Sequence, residues 1–151
     1  MGGLVVMSVL YLATALMGTG VAVNDDLPAS PLGISTGLEV PIDFLVGLGT
    51  ALSAPLVLLL AFAVAVVAAS RGGRLPLGVM AVFGVGFGTG MLAEPITYRV
   101  LSPGGFEPVH AAIVVGNLVL AVAIVGLALL ERRRAPGEGS VPAGRYTEDG
   151  P

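Results

Sequence analysis

The sequence contains no cysteine, no lysine, a single histidine and few charged residues of any kind. The lack of cysteine excludes disulfides, thiolate metal ligands and dithiol redox chemistry. One histidine excludes a haem held by two histidines. Charged residues make up only 11% of the 151-residue chain, whereas 55% of it is apolar. A soluble domain of this size needs more polar surface, so we expect the protein to be solvated by lipid.

Four long uncharged runs are separated by short stretches that hold most of the charges. We predict membrane-spanning helices at residues 4–23, 44–69, 75–93 and 109–130. Each run is long enough, because about 20 helical residues cross the hydrocarbon core of a bilayer. Pro41 and Pro108 favour helix starts, and Glu94-Pro95 ends the third helix. Pro55 predicts a kink in the second helix.

The positions of the arginines predict the orientation. Arg71 and Arg74 lie between the second and third runs, and residues 132–134 are three arginines after the fourth run. Such residues favour the cytoplasmic side, which puts both termini in the cytoplasm. The Ala, Val, Gly and Arg bias is typical of a GC-rich genome, so we expect a bacterial inner membrane. The alternative is that the first run is a cleaved signal peptide, which leaves three spans.

The sequence after Arg134 changes abruptly in composition. Residues 135–151 are rich in Gly, Pro and polar side chains, and such segments do not bury enough apolar surface to fold. We therefore predict a transmembrane domain over residues 1–134, followed by a disordered cytoplasmic tail over residues 135–151.

Short similarities between the two halves suggest an internal duplication. Gly18-Thr19-Gly20 recurs as Gly88-Thr89-Gly90, and residues 39–43 (EVPID) resemble residues 107–110 (EPVH). Two tandem helical hairpins of the same topology would form an all-α, polytopic four-helix bundle. The alternative is chance, because Gly, Ala and Val are common throughout this chain.

The third run carries four glycines at alternate positions, Gly84, Gly86, Gly88 and Gly90. They form two overlapping pairs with the small-xxx-small spacing that allows close approach of helices in membranes. We predict that these glycines pack against other helices.

Candidate ligand-binding residues lie mainly at the outer ends of the helices. Asp43, Glu94, Arg99, Glu107 and His110 could converge there on a metal ion or a polar ligand, although their spacing matches no dedicated metal motif. The identity of any metal is unknown. The alternative is that the acidic residues only keep the outer loops hydrated.

Two polar residues within the runs, Thr50 and Asn117, are the remaining candidates. Facing each other, they could form a pocket for a small neutral solute or a quinone headgroup, but an interhelical hydrogen bond is the simpler interpretation.

The sequence gives little support for catalysis. The spans hold no Asp, Glu, Lys, Arg or His away from their ends, unlike proton pumps and voltage sensors. No nucleophile motif accompanies the histidine, no cofactor is indicated, and the net charge of −3 argues against nucleic acid as a partner. We expect a non-catalytic membrane protein that binds lipid and assembles with itself or with a membrane partner. The alternatives are a small-solute or ion permeation unit, and an outer-face metal or redox accessory protein.

Overall fold

The computed structural model describes residues 1–135. The regular structure in these residues is helical, and they contain no β-strand beyond isolated bridges. The helices are α1 (Gly2–Asn24), α2 (Val40–Val46), α3 (Leu56–Ser70), α4 (Arg74–Ala93), α5 (Pro95–Leu101) and α6 (Pro108–Arg134), and a 3₁₀ turn covers Pro31–Gly33. The predicted all-α class is confirmed. The predicted disordered tail lies outside the described residues, apart from Ala135.

Three helices, α1, α4 and α6, are long and apolar enough to cross a membrane, with 23, 20 and 27 residues. They coincide with the predicted runs 4–23, 75–93 and 109–130. Helix α6 lies at the centre, because both α1 and α4 pack along it. As predicted, α6 begins at Pro108 and α4 ends just before Glu94.

The continuous helix predicted over residues 44–69 is not present. Helix α2 ends at Val46, residues 47–55 form a loop, and the 15-residue α3 begins at Leu56. Gly49 helps to explain the break, because its φ is +102° and a Cβ there would lie 2.5 Å from the Ser53 carbonyl oxygen. Pro55 does not kink a helix but caps the start of α3, where its missing N–H has no consequence.

The order of elements is the same in the two halves of the described chain: a long helix, a seven-residue helix and a further helix. Both seven-residue helices have a glutamate at the N-cap and a proline in the first turn, Glu39 with Pro41 and Glu94 with Pro95. This order differs from the predicted equivalence of Pro41 and Pro108, because Pro108 opens the 27-residue α6.

Aromatic side chains connect α1, α3 and α4 in the interior. Tyr11 stacks on Phe87 with ring centroids 4.7 Å apart, and Phe62 meets both rings edge-on at 5.7 and 5.2 Å. Phe83 completes the cluster at 5.6 Å from Phe62. Such pairs stabilise a fold by about 0.5–1.5 kcal/mol each beyond the burial of their surface.

The four glycines of α4 do not share one role. A Cβ on Gly84 would lie 2.7 Å from Val125 Cγ2 and 3.0 Å from the Ala121 carbonyl oxygen, so α4 and α6 are in close contact there. Gly88 faces the same helix more loosely. Gly86 and Gly90 would meet nothing within 4 Å, because two helical residues turn the side-chain direction by about 200°. In the described chain, Gly84 and Gly88 thus face α6, whereas Gly86 and Gly90 face no other helix.

We predict that Gly84→Ala destabilises the protein relative to Gly86→Ala by about 1–3 kcal/mol, the usual cost of forcing extra volume into a packed seam. The two substitutions gain the same helix propensity on the same helix, so their difference reports packing alone. Reversible unfolding in mixed micelles measures it. Equal stabilities would contradict the close α4–α6 contact.

Candidate functional site

A groove of about 640 Å³ lies between α3, α4 and the loop of residues 47–55. The groove is lined by residues of α1, the loop, α3, α4 and the last turn of α6, and by Glu94 between α4 and α5. They include Tyr11, Thr50, Ser53, Leu58, Gly78, Val82, Phe83, Gly86, Phe87, Gly90, Glu94 and Arg132. Val82, Gly86 and Gly90 are exposed, so the groove is open along one side of α4.

The polar lining of the groove is concentrated at its two ends. Thr50, Ser53 and Glu94 lie at the end where α4 stops, and all three are buried. Arg132 lies at the opposite end beside Gly78. The middle of the groove is aliphatic and aromatic. The arrangement fits a molecule with a polar end and an apolar body.

The loop that forms one wall is held by hydrogen bonds. The seven consecutive backbone N–H groups of residues 47–53 all have acceptors, among them the Asp43 side chain, Thr50 Oγ1 and the Ser53, Asp43 and Leu27 carbonyls. The four residues from Thr50 to Ser53 are buried. Non-helical backbone is tolerated at membrane depth only when it is buried and satisfied in this way.

Asp43 organises the start of this loop. Its carboxylate Oδ1 accepts the N–H of Leu48 at 2.7 Å, and its carbonyl accepts the N–H groups of Gly47 and Gly49 at 2.8 and 3.1 Å. The residue is 0% exposed, and its second carboxylate oxygen has no hydrogen-bond partner among the described residues. A candidate ligand residue thus has a structural role and one free acceptor.

Glu94 lies at the break between α4 and α5 and is only 7% exposed. Both carboxylate oxygens accept the same backbone N–H, that of Ser30, at 3.1 and 3.2 Å. Burial raises the pKa of Glu94; the hydrogen bond from Ser30 lowers it and the charge of Asp43 raises it further. The structure therefore places two of the predicted site residues, Glu94 and Asp43, near each other.

Thr50 and Asn117 do not face each other, so they do not form a shared pocket for a small solute. The Asn117 amide donates to the Leu52 carbonyl at 3.2 Å, and Asn117 is 2% exposed. Thr50 instead accepts the N–H of Leu52 and lines the groove. Asn117 therefore donates a structural hydrogen bond from α6 to the loop of residues 47–55, rather than one between two helices.

The remaining candidates lie around the start of α6. His110 Nε2 is 2.8 Å from Asp25 Oδ2, and its Nδ1 is 3.4 Å from Glu107 Oε2. Hydrogen bonds from Asn24 and His110 hold the pKa of Asp25 below its ordinary value. Arg99 is exposed. Residues 1–135 contain no group of three His, Asp or Glu side chains placed to hold a metal ion, so the outer candidates form separate groups.

Three contributors to these groups, Asp25, Ser30 and Ser53, were not among the site residues predicted from the sequence. Asp25 could have been found, because it ends the first apolar run on the side where His110 starts the fourth. Ser30 and Ser53 contribute through backbone position, and no sequence pattern signals that contribution.

No family model matches this chain, and neither a curated protein nor a solved structure is significantly similar to it.

We predict that Glu94→Gln raises the thermal unfolding midpoint of the detergent-solubilised protein at pH 8. Because the pKa is raised in the folded protein, the stability that Glu94 contributes is present below its ordinary pKa of 4.5 and is lost as pH rises through the folded value. The gain from Gln should therefore shrink as the pH approaches 4.5. The control is Glu39→Gln, an exposed acid at the matching N-cap. A lower midpoint for Glu94→Gln at pH 8 would contradict the cost of burial.

Proposed function

We propose that the chain is a four-span protein of a bacterial inner membrane. The 15 residues of α3 cover about 22 Å, which is shorter than the roughly 30 Å hydrocarbon core. The second crossing therefore consists of α2, the buried loop and α3 together. The pairing of the loop's N–H groups supports this assignment, because unpaired backbone groups are not tolerated in lipid.

The orientation is inferred from which groups share an end of the molecule. The N-terminal amine pairs with Glu131, and Arg74 donates to the Ala135 carbonyl. This arginine-rich end is the cytoplasmic one by the positive-inside rule. The opposite end, where Asp25 meets His110, is then external.

We further propose that the four crossings form two tandem hairpins in one bundle. The repeated order of long, seven-residue and further helix supports a duplication, with Pro41 equivalent to Pro95. On this proposal the equivalent of Pro108 is Pro55. Pro55 is the N-cap of α3 and Pro108 is the first residue of α6, and α3 and α6 are the last helices of their halves.

The function that the geometry supports best is non-catalytic binding of an apolar membrane partner in the groove. The observation that carries it is the open face of α4 at Gly86 and Gly90, where an added Cβ meets nothing within 4 Å. In lipid, faces with small-xxx-small spacing are surfaces for close association. The equivalent face at Gly84 is already covered by α6.

A permeation unit has less support. It would need a continuous polar path, but Glu94 and Arg132 lie at opposite ends of the groove, and apolar Val82, Phe83 and Phe87 line its middle beside Tyr11. Its open side is also formed by exposed Val82, Gly86 and Gly90, which offer no polar side chain.

The topology is tested with single cysteines, which the cysteine-free chain makes unambiguous. Ser102→Cys follows α5 and Ser70→Cys ends α3, and both replaced side chains are exposed. We expect a membrane-impermeant maleimide to label Ser102→Cys in intact spheroplasts and Ser70→Cys only after permeabilisation. The reverse pattern would contradict the orientation or the second crossing, and labelling of both would contradict a crossing by α4.

Partner binding is tested by filling the groove. We expect Gly86→Leu combined with Gly90→Leu to remove the co-purifying partner, whether a lipid-like molecule or a membrane protein, in native mass spectra recorded from gentle detergent. The control is Gly20→Leu with Gly126→Leu, two helical glycines that also have nothing within 4 Å. Equal retention of bound mass by the two variants would contradict the groove as the binding surface.

A further inference from the structure

We propose that the groove binds a single-chain amphiphile whose protonated amine head pairs with Glu94 while its hydrocarbon chain lies along α4 toward Val82. This inference rests on the proposed function and names the chemical class of the partner. The occupant is a small molecule rather than a partner helix, because about 640 Å³ is within the range of small-ligand sites and the buried carboxylate at one end favours a charged head that an apolar membrane-crossing helix lacks.

The head is recognised by a buried carboxylate with unused acceptor capacity. A carboxylate can accept about four hydrogen bonds, whereas Glu94 receives one N–H, from Ser30, shared between its two oxygens. The residue lines the groove although it is 7% exposed. An ammonium group offers three donors, and the buried Thr50 and Ser53 line the same end.

The charge at this end favours a cation. Asp43 is close enough for its charge to act on Glu94, and neither carboxylate forms an ion pair within residues 1–135. Asp43 also keeps one oxygen without a hydrogen-bond partner. Buried carboxylates are costly unless they are paired. A cationic head supplies the missing charge, whereas a carboxylate or phosphate head would be repelled.

The body of the groove fits a hydrocarbon chain. From Glu94 to Val82 the helix advances about 18 Å, roughly the depth of one leaflet of a bilayer whose apolar core is about 30 Å. The open Gly86 and Gly90 leave room beside the helix, and Phe83 and Phe87 form the apolar wall. A chain anchored at Glu94 therefore lies within the outer leaflet.

The test is a titration of the purified full-length protein in neutral maltoside micelles with dodecylamine, dodecanol or dodecanoate at equal mole fractions. Circular dichroism records the thermal unfolding midpoint, which rises when a ligand binds the folded state. We expect dodecylamine to bind at least ten-fold more tightly than dodecanol, and dodecanoate to give no rise.

Three variants assign the effect. Glu94→Gln keeps an acceptor for the Ser30 N–H and should reduce dodecylamine binding to the level of dodecanol. Gly86→Leu should abolish binding of both, and Glu39→Gln, an exposed acid, should leave both unchanged.

The possible failures are distinguishable. Equal binding of all three amphiphiles that is lost in Gly86→Leu overturns recognition of the amine but leaves the groove as a binding surface. A preference for dodecylamine that persists in Glu94→Gln overturns the assignment of Glu94. Absence of binding by any amphiphile overturns the inference. The proposed function is then tested separately, by whether Gly86→Leu combined with Gly90→Leu loses the bound mass in native mass spectra.

Discussion

The rest of this structure depends on how the backbone of residues 47–53 is hydrogen-bonded. These residues interrupt an apolar run, and in lipid an unpaired N–H or carbonyl costs several kcal/mol. Asp43 accepts three of the N–H groups, and Asn117 donates to the Leu52 carbonyl from across the molecule. At Gly18 the backbone of α1 passes so close that a Cβ would lie 2.7 Å from the Leu52 carbonyl oxygen. The break is thus enclosed by the long helices.

The enclosed loop leaves one face of α4 uncovered. The loop and the first residues of α3 stand beside α4 without covering it, so the face that carries Gly86 and Gly90 remains open. The opposite face, at Gly84, is in close contact with α6. Two glycine pairs of identical spacing therefore differ in role because only one of them has a helix to pack against.

The same break also determines the electrostatics of the groove. Asp43 is buried and its carboxylate accepts an N–H of the loop, while Glu94, between α4 and α5, is buried and accepts the N–H of Ser30. Two interruptions of helical structure thus bring two acids to one end of an apolar groove. The same acids placed in hydrated loops would carry no comparable cost, since exposed carboxylates keep their water.

The sequence by itself determined the all-α class of this protein and its three long apolar helices. Low charge and long apolar runs predicted helices long and apolar enough to cross a membrane. Proline positions identified the start of α6 and the end of α4, because proline restricts the backbone locally. Only the tertiary structure decided that residues 47–55 leave the helix, that Asn117 meets Leu52 rather than Thr50, and that Glu94 separates from His110. Those outcomes depend on partners distant in sequence, so no local pattern encodes them.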